Sequence, residues 1–235
     1  MSHDRRAGST EHQLGNKKND DAERVFGSPE KGWYSRGYLP HRDELHITQS
    51  LTFRLADSLP QQMLRKLEDE LETIPVVKRD MYRRERIETW LDASMGCCAL
   101  KHPKLAEVME HGFLLNDGIR YKLLAWCVMP NHAHVLIEPL VALGTITKSW
   151  KSYSGRWAIT HNAALGLGIS GEHLWQREVW DRYIRNERHL KDTTEYIHHN
   201  PVKARLCEKP EDWRWSSAWK GRQVNSQEGE RYVTR

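Results

Sequence analysis

Residues 129–140 read MPNHAHVLIEPL, and the fold can be worked outward from them. In a β-strand alternate side chains point to opposite faces, so His132 and His134 share one side while Ala133, Val135 and Ile137 share the other. The apolar set reads as a core face. The two imidazoles, side by side at the mouth of the strand, form half of a divalent-metal site. With 13 histidines in 235 residues, a His-x-His arises easily by chance. The pair therefore gains meaning only if further ligands come from elsewhere in the chain.

Upstream, residues 120–128 are apolar on both faces (Leu123, Leu124, Ala125, Trp126, Cys127, Val128), as expected of a central strand. An Asn116-Asp117-Gly118 turn launches it, and Pro130 and Asn131 turn it back into the histidine strand as a hairpin. Residues 46–55 alternate cleanly, with Ile47, Leu51, Phe53 and Leu55 on one face and Thr48, Ser50, Thr52 and Arg54 on the other. Between these strands, Met63, Leu64, Leu67 and Leu71 fall at helical spacing and Pro75 interrupts. A charged helix follows over residues 78–90, then a short one over 104–111.

After Pro139 and Gly144, the positions Ile146, Trp150, Tyr153 and Trp157 predict a helix with those residues as its core stripe. A Gly-rich linker at 163–171 carries no nucleotide-binding spacing. Residues 179–184 predict a fourth strand, and Asn186 caps a helix running through His199 with Leu190, Thr194 and Ile197 buried. The order β-α-β-β-α-β-α predicts an α+β fold, a ferredoxin-like antiparallel sheet with helices on one face.

A chain of this length can bury one sizeable core. Residues 1–30 are polar and predict a disordered N-terminal tail; residues 31–222 form the expected domain and 223–235 a polar C-terminal tail. No apolar run approaches the ~20 residues that span a membrane, and the N-terminus lacks an apolar signal core, so a cytoplasmic location with no membrane partner is expected. Cys97, Cys98, Cys127 and Cys207 show no C-x-x-C spacing and read as reduced thiols. The formal charge is +4. Residues 145–205 alone carry ten Lys/Arg against six Asp/Glu, a mildly basic region suited to phosphate.

The other half of the site is sought in residues 195–204, EYIHHNPVKA. Tyr196 and Asn200 are four apart and share a helix face. A hydroxyl nucleophile and a neutral oxygen ligand presented together suit phosphoryl transfer, the metal polarising the phosphate while the tyrosine attacks. His199, at i+3 from Tyr196, is a second possible ligand. Pro201 disfavours helical geometry at Asn200, which is expected on a last, loosened turn.

Four blocks, WCVMPNHAHVLI (126–137), LWQREVWDRYIRNE (174–187), EYIHHNPVKA (195–204) and PEDWRWSS (210–217), resemble in this order the REP-associated tyrosine transposases. These are a domesticated branch of the single-tyrosine HUH transposases. Residues 33–60 also resemble the entry segment of one subgroup. The resemblance implies the HUH endonuclease fold, His132 and His134 as the metal-binding histidines, Tyr196 as nucleophile and Asn200 as the third ligand, with Mg2+ or Mn2+ as cofactor.

It further implies a nucleoid DNA substrate in a bacterial host. The expected function is a metal-dependent single-stranded DNA endonuclease and strand transferase acting on palindromic hairpin DNA, the repetitive extragenic palindromes. The reaction passes through a covalent 5′-phosphotyrosine, and the enzyme is a monomer or homodimer.

Lys148, Lys151, Arg177, Arg182 and Arg185 are the expected contacts to the nucleic-acid backbone. Trp175 and Trp180 are read mainly as core, and Glu138 as a strand-end acid. Three other readings compete. A non-catalytic hairpin-binding regulator of the same fold would not need the full His, His, Tyr and Asn set. A metal-dependent amidohydrolase would carry its His-x-His near the start of a longer barrel. A replication initiator or relaxase would bring extra domains or paired tyrosines.

Overall fold

The computed structural model describes residues 44–221 and the backbone of two short strands, β1 (Trp33–Ser35) and β2 (Pro40–Arg42), which pair antiparallel. The expected tails, and most of the entry segment before residue 44, lie outside the described residues.

Four strands build the main sheet: β3 (Gln49–Arg54), β4 (Tyr121–Val128), β5 (His132–Pro139) and β6 (Trp180–Tyr183). Their spatial order is β4-β5-β3-β6, and every pairing is antiparallel. That is the strand order of a ferredoxin-like sheet, as the sequence pattern predicted. Helices α1 (Gln61–Glu72), α2 (Val76–Asp92) and α3 (Pro103–Leu114) fill the first crossover; α4 (Leu143–Leu165) fills the second, and α5 (Glu187–Lys203) follows β6.

Local chemistry accounts for the boundaries. Pro60 and Pro75 stand at the starts of α1 and α2, and Pro103 occupies the first turn of α3, where its missing N–H costs no helical bond. Gly166, with φ of 61°, ends α4 in the left-handed conformation that glycine adopts without steric cost. The Asn186 side chain accepts from the His189 backbone N–H at 2.8 Å, capping α5.

On one face of the sheet, Leu51, Phe53, Trp126, Val135 and Ile137 pack against Met109 and Phe113 of α3 and Ile146 and Trp150 of α4. Edge-on aromatic contacts dominate this layer: Phe53 with Trp175 and Phe113 with Trp150, each pair with centroids 5.1 Å apart. Trp150 Nε1–H donates to the Tyr121 hydroxyl (3.0 Å), which donates to the Phe113 carbonyl (2.6 Å), so the polar atoms in this core are satisfied.

The remaining helix is placed differently from expectation. Ile197 of α5 packs with Ala125, Cys127, Met129 and Leu136, the residues that alternate with the first set. Helices thus cover both faces, α3 and α4 on one and α5 on the other. This is why β4 is apolar on both sides although it is an edge strand, not a central one. Its outer edge is closed locally: the Val128 N–H donates to the Trp215 carbonyl (2.8 Å) and the Ser217 N–H to the Trp126 carbonyl (2.9 Å).

Two further expectations are corrected. Tyr153 is 40% exposed; the buried stripe of α4 continues through Ser154 and Ala158 instead. And α5 does not loosen at Asn200 but runs through Pro201 to Lys203, so Asn200 is held rigidly. Among the described residues no helix is long and apolar enough to cross a membrane.

Candidate active site

β5 places His132 and His134 on the α5 side of the sheet, buried to 1% and 2% exposure. Each ring is oriented by a neighbour. His132 Nδ1 lies 2.8 Å from Asn131 Oδ1. Asn131 Nδ2 donates to the Met95 carbonyl at 3.0 Å, which fixes which end of the amide faces the histidine. His132 Nδ1 therefore carries the proton and its Nε2 presents a lone pair. His134 Nδ1 lies 2.9 Å from Thr52 Oγ1 on the adjacent strand, consistent with the register that sets Thr52 opposite His134.

The two Nε2 atoms face each other at 3.0 Å, with ring centroids 4.7 Å apart. Burial pushes the His134 pKa down to about 3, the nearby Lys203 charge adds to the shift and the Asn200 amide opposes it. Burial, then His134 and Lys203, also hold His132 well below the ordinary imidazole range. Both rings are thus neutral at pH 7, the form that ligates metals.

α5 brings Tyr196 and Asn200 to the same place. Asn200 Nδ2 donates to the Tyr196 carbonyl at 2.7 Å. Its Oδ1 is buried and makes no hydrogen bond of ordinary geometry, an acceptor held close to the His134 ring. That donor set of two nitrogens and one amide oxygen fits a hard or borderline divalent cation. His199, the alternative, is exposed, and its Nδ1 bonds the Glu195 carbonyl of its own helix at 2.9 Å. Among the described residues no group of three or more His, Cys, Asp or Glu is placed to hold a metal ion, and the third donor beside the two histidines is the Asn200 amide oxygen.

The Tyr196 ring meets His134 edge-on, centroids 5.6 Å apart. Its hydroxyl lies close enough to the Glu88 carboxylate and the Asn200 amide for both to act on its ionisation. Burial first, then the charges of Glu88 and Asp92, push the phenol pKa up, and burial raises that of Glu88. Tyr183 is paired with Gln49, on the sheet face opposite the histidines. It is not assembled with them.

Glu88, Asp92 and Lys203 escaped the sequence reading. Lys203 Nζ lies 2.7 Å from Asp92 Oδ2, tying α5 to α2 over the site. On α2, Glu88 is one charged residue among many. The available hint was its place between the buried Ile87 and the buried pair Trp90 and Leu91.

The expected nucleic-acid contacts divide. Lys148, Lys151 and Arg177 line one groove between α4 and residues 172–181, together with Arg156 and His173. Lys151 also holds that groove together, donating to the Gln176 (2.6 Å) and Arg177 (2.9 Å) carbonyls. Arg182 and Arg185 lie outside the groove, Arg182 exposed on β6 and Arg185 over the Tyr183 ring. Since α4 covers the opposite sheet face, the groove is not contiguous with Tyr196. Trp175 is core, its Nε1–H donating to Ser154 Oγ at 2.9 Å. Trp180 packs against the α1–α2 cluster, and Glu138 pairs with Lys122 at 2.9 Å at the far end of β5.

Comparison with known families returns the same segment. The model of the IS200-like transposases matches residues 100–200, a stretch holding both histidines, Tyr196 and Asn200. Residues 100–200 are thus similar to that transposase family. The REP-associated tyrosine transposase of Escherichia coli K12 is 29% identical over 102 residues, covering 41% of this chain and 54% of the relative. A REP-associated tyrosine transposase homologue of Haemophilus influenzae is 27% identical over 108 residues, covering 41% of this chain and 58% of its own. The chain thus spans about half the length of the curated relatives it matches. The solved structure of a REP-associated tyrosine transposase bound to a REP hairpin aligns over 79% of this chain and 83% of its own, at 17% identity and a TM-score of 0.46. The resemblance to the REP-associated transposases is borne out; α2, with Glu88, lies before the family-matched segment.

Proposed function

We propose that the protein nicks and rejoins single-stranded DNA at a hairpin through a covalent 5′-phosphotyrosine on Tyr196. The observation that carries this is the meeting of Tyr196 with His134 across the sheet–helix interface, beside the buried Asn200 Oδ1. The hairpin substrate is taken from the resemblance and from the REP-associated relatives.

His132, His134 and Asn200 would hold Mg2+ or Mn2+. A bound cation supplies Lewis-acid neutralisation of the phosphate's charge. The chain's own residues do the rest. α5 holds the Tyr196 hydroxyl at the histidine face, and its rigid anchoring reduces the entropy lost on reaching the attack geometry. The phenol is protonated at neutral pH because burial and the acids of α2 raise its pKa. It therefore needs an acceptor as its oxygen becomes a nucleophile, and Glu88, the α2 carboxylate that acts on its ionisation, is that acceptor. The Tyr196 Oη–P bond forms, the P–O3′ bond breaks, the phenolic proton passes to Glu88 and the departing 3′-oxygen takes a proton from solvent water to become a hydroxyl. Attack by a second 3′-hydroxyl reverses the sequence and joins strands without a nucleotide cofactor.

The test is Tyr196→Phe on a labelled hairpin. The ring and helix stay and the nucleophile goes, so the covalent protein–DNA adduct on a denaturing gel should vanish while hairpin affinity is kept. An adduct that persists in Tyr196→Phe overturns the assignment. A wild-type protein that binds hairpins and never forms an adduct in Mg2+ or Mn2+ supports the non-catalytic regulator instead.

A further inference from the structure

Arg54 ends β3 directly opposite His132, and Thr52 stands opposite His134. Directly paired residues of an antiparallel ladder share a face with Cβ atoms ~5 Å apart. Arg54 therefore projects from the histidine face, one cross-strand step from His132. It is half-buried, and burial lowers its pKa to about 10, leaving it fully charged at neutral pH. No carboxylate compensates that charge among the described residues. Among the described residues the guanidinium makes a single hydrogen bond, from Nη1 to Ser58 Oγ at 3.3 Å, and Ser58 is itself a hydroxyl occupied in donating to the Leu55 carbonyl at 2.8 Å.

A guanidinium has five donors in a planar fork. A half-buried cation with no anion and most of its donors uncommitted is costly in a folded protein unless an anion arrives. The neighbouring acids are engaged elsewhere: Asp57 accepts from the Cys97 N–H at 2.7 Å, and Glu88 faces Tyr196.

We propose that Arg54 is a catalytic residue of this site, binding a non-bridging oxygen of the scissile phosphate and neutralising the charge that builds there as the Tyr196 Oη–P bond forms and the P–O3′ bond breaks. The assignment rests on the function proposed above and adds a group outside the family-matched residues 100–200. Bidentate recognition of phosphate is what the fork geometry serves best, and charge stabilisation is the main lever available in phosphoryl transfer.

The experiment compares wild type, Arg54→Gln and Arg54→Lys in single-turnover cleavage of a hairpin. One substrate carries an ordinary scissile phosphate and the other a methylphosphonate at that position, which lacks the charge. Arg54→Gln should cut the phosphate substrate ~10²–10³-fold more slowly, the usual loss on removing one transition-state donor. Hairpin affinity, spread over many phosphates, should change less than ~10-fold. On the methylphosphonate the gap between wild type and variant should collapse, which a merely structural role would not produce. A rate for Arg54→Gln equal to wild type, or the same loss on both substrates, overturns the proposal while leaving Tyr196 in place. If Arg54→Gln fails to fold, Arg54→Lys carries the comparison: it should be slowed on the phosphate alone, and equal rates with wild type on phosphate overturn the proposal. A wild-type protein that cuts no hairpin removes the underlying reading as well.

Discussion

Lowering the pH should unfold this protein through its own histidine pair. His134 is neutral in the native state down to a pKa of about 3, whereas an unfolded histidine takes up a proton near pH 6.5. Because the native pKa is depressed, this stability is complete above pH 6.5 and is lost as pH falls from there toward 3. Each pH unit inside that window is worth about 1.4 kcal/mol. Between pH 7 and 4.5 His134 alone thus accounts for a loss of about 2.7 kcal/mol, a figure set by the unfolded pKa once the native one lies lower. His132 shifts in the same direction and adds to it. Urea unfolding in a chelating buffer at pH 7, 5.5 and 4.5 measures the effect, with His134→Gln as the non-titrating comparison. Wild type should be the more stable at pH 7, and its advantage should shrink by roughly 2–3 kcal/mol at pH 4.5. Parallel pH profiles for the two proteins would refute the reasoning, because the ring would then not be buried neutral.

Two further outcomes are expected. Asn200→Ala should weaken Mn2+ binding ~10-fold or more while His199→Ala leaves it nearly unchanged, read by the loss of the free-ion signal in a magnetic-resonance titration; the opposite ranking would move the third ligand to His199. Gly96→Ala should lower stability by about 1–3 kcal/mol, since Gly96 has φ of +85° and an added Cβ would stand 2.7 Å from the Asp57 carbonyl oxygen. That turn carries the Met95 carbonyl that orients Asn131, and an unchanged melting temperature would count against the strain.

Much of the fold is legible because one-sided burial leaves a period in the chain. The alternation in residues 49–54 and around Ala133, Val135 and Ile137 names the core face of each strand, and Asn186 marks the start of α5. Periodicity tells which side of a helix is apolar, but not which face of the sheet it covers. The position of α5 was therefore not legible, nor was the edge position of β4, whose two apolar faces reflect two helical layers. Tyr196 and Asn200 were readable from spacing and resemblance. Glu88 and Arg54 were not: a single charged residue on an amphipathic helix or on the polar side of a strand looks like every solvated neighbour. Only the register, Arg54 against His132, and the packing of α2 beside Tyr196 give them a place.

The order of strands in the sheet sets how short a working piece of this gene can be. β3 stands between β5 and β6, so a fragment cut to residues 100–200 keeps both histidines, Tyr196 and Asn200 yet removes a strand from the middle of the sheet. β6 would lose its sheet partner, His134 its Thr52 contact and Tyr196 its Glu88. A fragment ending before Ser217 would in addition uncover the edge of β4. A piece that keeps the sheet and the candidate site together thus has to reach at least from β3 to residues 215–217, well outside the stretch that the family model matches.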